Sequence, residues 1–355
     1  MIKLSKSEKE RASNIHKNSI VIDAHTDVIM DVAERRDRGE KRVLERRHLE
    51  TMRQGGITAR VFAVGGDCEM FYTFPLRGML FGGTDPLKRT LKLIDLLHTD
   101  VYESRDLMLL AFTADDIEQA KKDGKVAIMF SLEGGKPFEE DLSFLRVLYR
   151  LGVRIVQLTW NRRNLLAGGV FQRTNSGLTD LGIEVIEEIN RLGIVIDVSH
   201  LSETSFWDVL ELTKEPVIAS HSNARALCDH VRNLTDDQIK ALAENDGVIG
   251  VNSYTEFVSK NSKATIENLL DHVGYIERLV GVDHIGIGLD ITEDWPEEIY
   301  ERIWGEKLRF TQGLESIREL QNFTEGLVAR GYSDDELKKI LGGNFLRVFK
   351  EVFKK

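Results

Sequence analysis

Residues 193–221 read GIVIDVSHLSETSFWDVLELTKEPVIASH. An apolar, β-branched run, GIVIDVSH (193–200), passes through a helical pattern to a second such run, PVIAS (216–220). Runs that are apolar almost without interruption fit strands buried on both faces of a parallel sheet. The same alternation continues in both directions. Upstream stand SIVIDAH (19–25), ITARVFAV (57–64), KVAIMFSL (125–132) and VRIVQLTW (153–160); downstream stand GVIGVN (247–252) and HIGIGLD (284–290). Eight strands alternating with helices predict a (β/α)8 barrel, one α/β domain over residues 1–355. A doubly wound open sheet is the competitor, but no GxGxxG follows the first strand.

The intervening segments carry helix punctuation. Thr113 opens a helix that Gly124 closes, and Thr179 caps one that ends at Gly193. Thr235-x-x-Gln238 and Ser333-x-x-Glu336 are capping-box patterns. The stretch between strands two and three, about residues 65–124, is longer than an ordinary crossover and reads as an insertion. It begins GGDCEMFYTFPLRGMLFGG, a sequence suited to covering the barrel mouth, to an oligomer contact or to a plain surface excursion.

Composition narrows the classes. The 355 residues are 42% hydrophobic and 30% charged, as in a soluble globular chain with a sizeable core. Forty-eight Lys+Arg against 58 Asp+Glu give a net charge of −10 with no basic block, which argues against nucleic acid as a partner. Five prolines and no low-complexity tract leave little room for disorder. Cys68 and Cys228 are too few for a disulfide framework or a cysteine zinc site, and read as reduced thiols. The first residues, MIKLSKSEKERASN, have no signal-peptide core, and VFKEVFKK at the end is too short to span a bilayer. A cytoplasmic location away from membranes is the expectation.

Chemistry-bearing residues cluster at strand ends. The first strand closes on Asp23-Ala-His25-Thr26-Asp27, where alternation puts His25 and Asp27 on one side. Alone, that pair reads more readily as a hydrogen-bonded structural pair than as metal ligands. Glu133 follows the third strand, His200 ends the fifth, His221 the sixth and Asp290 the eighth. In a barrel these ends share one mouth, and scattered surface histidines would not coincide with them. Imidazoles and carboxylates together form a ligand set for two divalent ions, a carboxylate being able to bridge. Zinc leads, with manganese or cobalt as substitutes. His16, His48, His98, His230, His272 and His284 fall in helical or loop patterns or at a strand start, and read as surface or packing residues. Asp197 suits either orientation of a ligand or a polar plug in the barrel.

In this order the motifs DAHTD, SLEGG, DVSH with SHSNARALCDHVRN, and GIGLD resemble the membrane (renal) dipeptidase family, peptidase family M19, in its soluble microbial form. The likeness runs from VIDAHTD to LGGNFLRVF. It implies a metal-dependent TIM barrel holding two Zn2+ per chain. His25 and Asp27 would hold one ion and His200 and His221 the other, with Glu133 bridging. Asp290 matches the residue that handles the proton of the attacking water, and Arg232 the one that receives the substrate's C-terminal carboxylate. One departure stands out. Mammalian members have a histidine in an LTH context that contacts the scissile carbonyl; here the sequence is LTWN, with Trp160 in its place. An indole N–H can still donate a hydrogen bond.

The implied function is a binuclear zinc dipeptidase that attacks the peptide bond with a hydroxide shared by both metals, with tolerance for a C-terminal D-residue. The partner is a small dipeptide, and homo-oligomer formation stays open. Two alternatives remain: another metal-dependent amidohydrolase acting on a lactone, cyclic amide or N-acyl amino acid, and a metal-binding barrel without turnover.

Overall fold

A computed structural model describes residues 4–67, 85–261, 263–292, 295 and 310–353. Nine parallel strands appear among the described residues: β1 (Ile22–Thr26), β2 (Ala59–Gly66), β3 (Met108–Leu110), β4 (Val126–Glu133), β5 (Val153–Gln157), β6 (Val195–Asp197), β7 (Ile218–Ala219), β8 (Val248–Val251) and β9 (Ile285–Ile287). Eight of them close a ring in the order β1-β2-β4-β5-β6-β7-β8-β9, with β9 returning to β1 through Asp23↔Ile287. The fold is the expected (β/α)8 barrel. Each expected strand run overlaps an observed strand; most of the strands are shorter than the runs, while β1, β2 and β4 continue one or two residues beyond them.

β3 is the element the sequence reading omits. It pairs with the first half of β4, Met108↔Val126 to Leu110↔Ile128, while β5 takes up the same edge from Phe130 onward. The expected insertion therefore holds a helix over Pro86–Glu103, β3 and the helix Ala114–Asp123. β3 lies at the N-terminal part of β4, away from the mouth. Residues 68–84, including Cys68 and most of the glycine- and aromatic-bearing stretch, lie outside the described residues.

The helix punctuation is observed at all four places. Thr113, Thr179, Thr235 and Ser333 each accept a backbone N–H in the first turn of the following helix. Gly124 and Gly193 close their helices in the left-handed region, with φ of 66° and 73°.

Alternation splits the strand side chains into two packed layers. Phe62, Ile128, Phe130, Val156, Ile196 and Ile249 pack outward with apolar faces of the surrounding helices. Ile22, Val61, Met129, Ile155, Val195, Ile218 and Val248 pack together with Phe345 and Phe349 of the helix Asn344–Val352. That helix plugs the N-terminal end of the barrel, leaving the C-terminal ends free to carry the site. No described helix is long and apolar enough to cross a membrane.

Candidate metal centre

Three devices aim the strand ends at one point. Gly66 sits beside Glu133, and a Cβ there would lie 2.3 Å from the Glu133 carbonyl oxygen. A Cβ at Gly288 would lie 1.6 Å from the Ser220 carbonyl oxygen. Only glycine permits either approach. His200 and Asp290 themselves adopt left-handed backbone, with φ of 70° and 60°. For residues with a Cβ this conformation is uncommon and costs free energy, and it turns both side chains out of strand alternation.

The six residues that mark strand ends converge. His25 Nε2 lies 3.4 Å from Glu133 Oε1, 3.7 Å from Asp290 Oδ1 and 4.0 Å from Asp27 Oδ1. Glu133 Oε1 lies 3.2 Å from His200 Nε2 and 3.8 Å from His221 Nε2. The His200 and His221 Nε2 atoms are 2.8 Å apart, and the His25 and His221 rings stack at 3.8 Å. By proximity of ligand atoms, His25, Glu133 and His221 form one group, and His25, Asp27 and Asp290 another.

These contacts are not ion pairs. Burial, with help from Arg232 and Arg60, pushes His25 down to about 3 and so leaves it neutral. Burial also holds His200 and His221 well below the usual imidazole range. It raises Asp27 and Glu133 well above the carboxylate range, with repulsion from Asp290 adding to both and that from Asp27 adding to Glu133. Burial brings Asp290 up to about 7 against the opposing field of Arg232. His25 Nε2, Asp27 Oδ1 and Glu133 Oε2 are buried and without hydrogen-bond partners. Such groups are costly unless something completes them. Neutral imidazoles and carboxylate oxygens facing one another are the donors a divalent cation takes, and zinc suits the mixture. The donor set fits the metal that the sequence resemblance implies.

Further residues shape the surroundings. Arg232, 4% exposed, donates from Nη2 to His200 Nε2 at 3.0 Å and lies 5.6 Å over the Phe257 ring. Burial lowers it only to about 10, so it remains cationic. Trp160 is half-buried, with its ring 6.0 Å from that of His200. A cavity of about 440 Å³ opens over the cluster, lined by Asp27, Glu133, Trp160, His200, Arg232 and Asp290 among others. A second cavity, of about 240 Å³, lies against His200 and Arg232, with Ser222 and Arg225 in its wall.

The sequence reading misses several supporting residues. His230, read as surface or packing, lines the larger cavity, because the turn before Arg232 brings its ring to 4.6 Å from Phe257. Asn161 Oδ1 accepts from His200 Nδ1 at 2.8 Å. Asn252 Nδ2 donates to Asp290 Oδ2 at 3.4 Å. Asp67 accepts from the Lys136 backbone at 2.8 Å and from Asn164 Nδ2 at 2.7 Å, tying together the loops that follow β2, β4 and β5. The buried pair Arg60–Asp23, at 2.9 Å, joins β2 to β1, and Asp23 also accepts from the Leu289 backbone beside Asp290. Only adjacency to a candidate residue could have flagged Asn161 and Asp23. Asn252, Asp67 and Arg60 give no local signal. Asp197, left open between two readings, connects to His221 through Ser220.

A dipeptidase from Claviceps purpurea, Dipeptidase tcpJ, is 34% identical over 269 residues, covering 75% of this chain and 60% of that protein. Human Dipeptidase 3 is 32% identical over 312 residues, covering 86% of this chain and 58% of the human protein. The matches thus span about three-fifths of these relatives' own length. A crystal structure of an amidohydrolase from Pseudomonas aeruginosa superimposes with a TM-score of 0.81 at 27% identity, over 97% of this chain and 99% of that one. The family described as membrane dipeptidase (peptidase family M19) matches residues 9–354, nearly the whole sequence. With its closed barrel and its converging strand-end ligands, the chain belongs to the membrane dipeptidase family M19.

Proposed function

We propose that this chain is a zinc-dependent dipeptidase, with two zinc ions held by His25, Asp27, Glu133, His200 and His221. The observation that carries the reading is the cluster of buried, partnerless ligand atoms beneath a cavity of about 440 Å³. That volume lies within the range of small-molecule sites, roughly 300–1,000 Å³. Zinc in such a set supplies Lewis acidity and brings the pKa of bound water near neutrality. Asp290, which burial raises to about 7 in the metal-free protein, sits beside the ligands where it can take up and return a proton. Arg232 presents a charged fork to the substrate's C-terminal carboxylate. Trp160 shapes the wall next to His200 and has an indole N–H to offer. A C-terminal D-residue is accepted on this reading, as the family likeness implies.

A second reading, hydrolysis of another amide or lactone, draws on Trp160 in the place of the family histidine and on the amidohydrolase likeness. A panel of dipeptides, N-acyl amino acids and lactones, run at fixed zinc content, separates the two. Turnover of free dipeptides in preference to the rest supports the dipeptidase, and turnover confined to the other classes overturns it.

A further inference from the structure

We propose that Ser220, held by Asp197, is a positioning residue that fixes the tautomer of His221 and thereby presents its Nε2 to metal. The inference rests on the metal-site reading above but concerns a state that exists before metal binds. Ser220 Oγ lies 2.6 Å from His221 Nδ1 and 2.5 Å from Asp197 Oδ2. A hydroxyl has one proton to give, and a carboxylate can only accept. Ser220 therefore donates to Asp197 and accepts from His221, so the imidazole proton sits on Nδ1. The lone pair is left on Nε2, the atom that faces Glu133 Oε1 at 3.8 Å.

The carboxylate is itself fixed. Asp197 is 1% exposed, and its Oδ1 accepts from the backbone N–H groups of Ser199 and Ser220, each at 3.0 Å. Burial raises Asp197 above the usual carboxylate value, and these bonds oppose that and favour its charged form; they also tie the end of β6 to the end of β7, the two strands that deliver His200 and His221. Metal-bound histidines commonly give their second N–H to a carboxylate. Here a serine hydroxyl is interposed, which lets one carboxylate both orient an imidazole and stitch two strand ends.

His200 reaches the same state by another route. Its Nδ1 donates to Asn161 Oδ1 at 2.8 Å, so its lone pair also lies on Nε2. Two lone pairs then face each other across 2.8 Å. Only a proton donor or a cation between or beside them relieves that repulsion, and the Arg232 guanidinium, 3.0 Å from His200 Nε2, is the cation present. His25 contrasts with both: among the described residues neither of its ring nitrogens has a partner.

Nitrogen-15 NMR of the metal-free protein, labelled at histidine, reads the tautomer directly. The His221 signals are assigned by their loss in His221→Asn. The expected result is His221 protonated on Nδ1, with Ser220→Ala shifting it toward a mixture and Ser220→Thr, which keeps the hydroxyl, restoring it. Zinc affinity, measured by chelator competition, should fall about 10–100-fold for one of the two ions in Ser220→Ala and recover in Ser220→Thr. The unfolding midpoint of metal-free Ser220→Ala guards against a general loss of structure. A His221 protonated on Nε2 in the wild-type protein overturns the proposal, and so does unchanged zinc affinity in Ser220→Ala. Should the wild-type protein bind no zinc yet show the Nδ1 tautomer, the metal reading fails while the positioning role stands. With the His221 signals assigned, the wild-type spectrum decides the tautomer even if the Ser220 variants do not fold.

Discussion

At the scale of single residues, Asp290 and Arg232 carry the sharpest tests. Asp290 lies 3.7 Å from His25 Nε2 and groups with His25 and Asp27, so it is placed either to ligate or to move a proton. The proposed role is the proton. Asp290→Asn should lower kcat by about 10²–10⁴, the range for a lost general base, while zinc content measured on the same sample changes little. Loss of an ion in that variant would make Asp290 a ligand instead. Arg232 is buried, cationic and in the cavity wall. Arg232→Met should cost roughly 2–5 kcal/mol in kcat/KM for free dipeptides, the penalty for leaving a desolvated carboxylate unpaired. Amidating the substrate's C-terminus should cost the wild type a similar factor and the variant little more, because both changes remove one interaction. The strand-end residues were legible in the sequence because parallel-barrel geometry sends every strand's C-terminal end to one mouth. Asp67, Asn252 and Arg60 were not, because each acts across the fold on a partner dozens of residues away.

At the scale of elements, strand ends must approach closely for the cluster to form. Gly66→Ala puts a Cβ 2.3 Å from the Glu133 carbonyl oxygen, so β2 and β4 must separate at the point where Glu133 begins its turn into the cavity. We expect both a lower unfolding midpoint and weaker zinc binding, measured by thermal denaturation with and without chelator. The helix Asn344–Val352 offers the complementary test, since Phe345 fills the barrel's opposite end. Phe345→Ala should cost about 3–5 kcal/mol of stability and leave zinc content per folded chain unchanged, as checked by denaturant titration and elemental analysis. Long apolar runs and caps such as Thr179–Gly193 announce their elements locally, through burial on both faces and orphan backbone groups. The three-residue β3 has no such length, and only its edge bonds to β4 make it a strand. His230 packs on Phe257 as expected, but its place in the cavity wall was not legible, because the turn that puts it there has no sequence period.

At the scale of the whole molecule, the site is a stored electrostatic cost that metal relieves. In the metal-free protein His25 titrates near 3 rather than 6.5, so the unfolded chain binds a proton that the fold refuses, and stability is lost as pH falls through that window. Asp27 and Glu133 act in the opposite sense. Their raised values mean that the unfolded chain releases protons above about 4 while the fold retains them, so the metal-free protein loses stability as pH rises. Zinc requires both carboxylates ionised and all three imidazoles neutral. The rise in unfolding midpoint on adding zinc should therefore grow as pH rises above the usual carboxylate range, and a shift that does not change with pH would contradict the ligand assignment. The central claim, that these strand ends hold two zinc ions which make the barrel a dipeptidase, meets its most direct test in one titration. Metal-free protein is titrated with zinc, and dipeptide hydrolysis is followed against bound metal measured by elemental analysis. Hydrolysis should be absent in the chelated protein and should reach its plateau at two zinc ions per chain. Full activity with one ion or none, or two bound ions with no dipeptide cleaved, would contradict that claim.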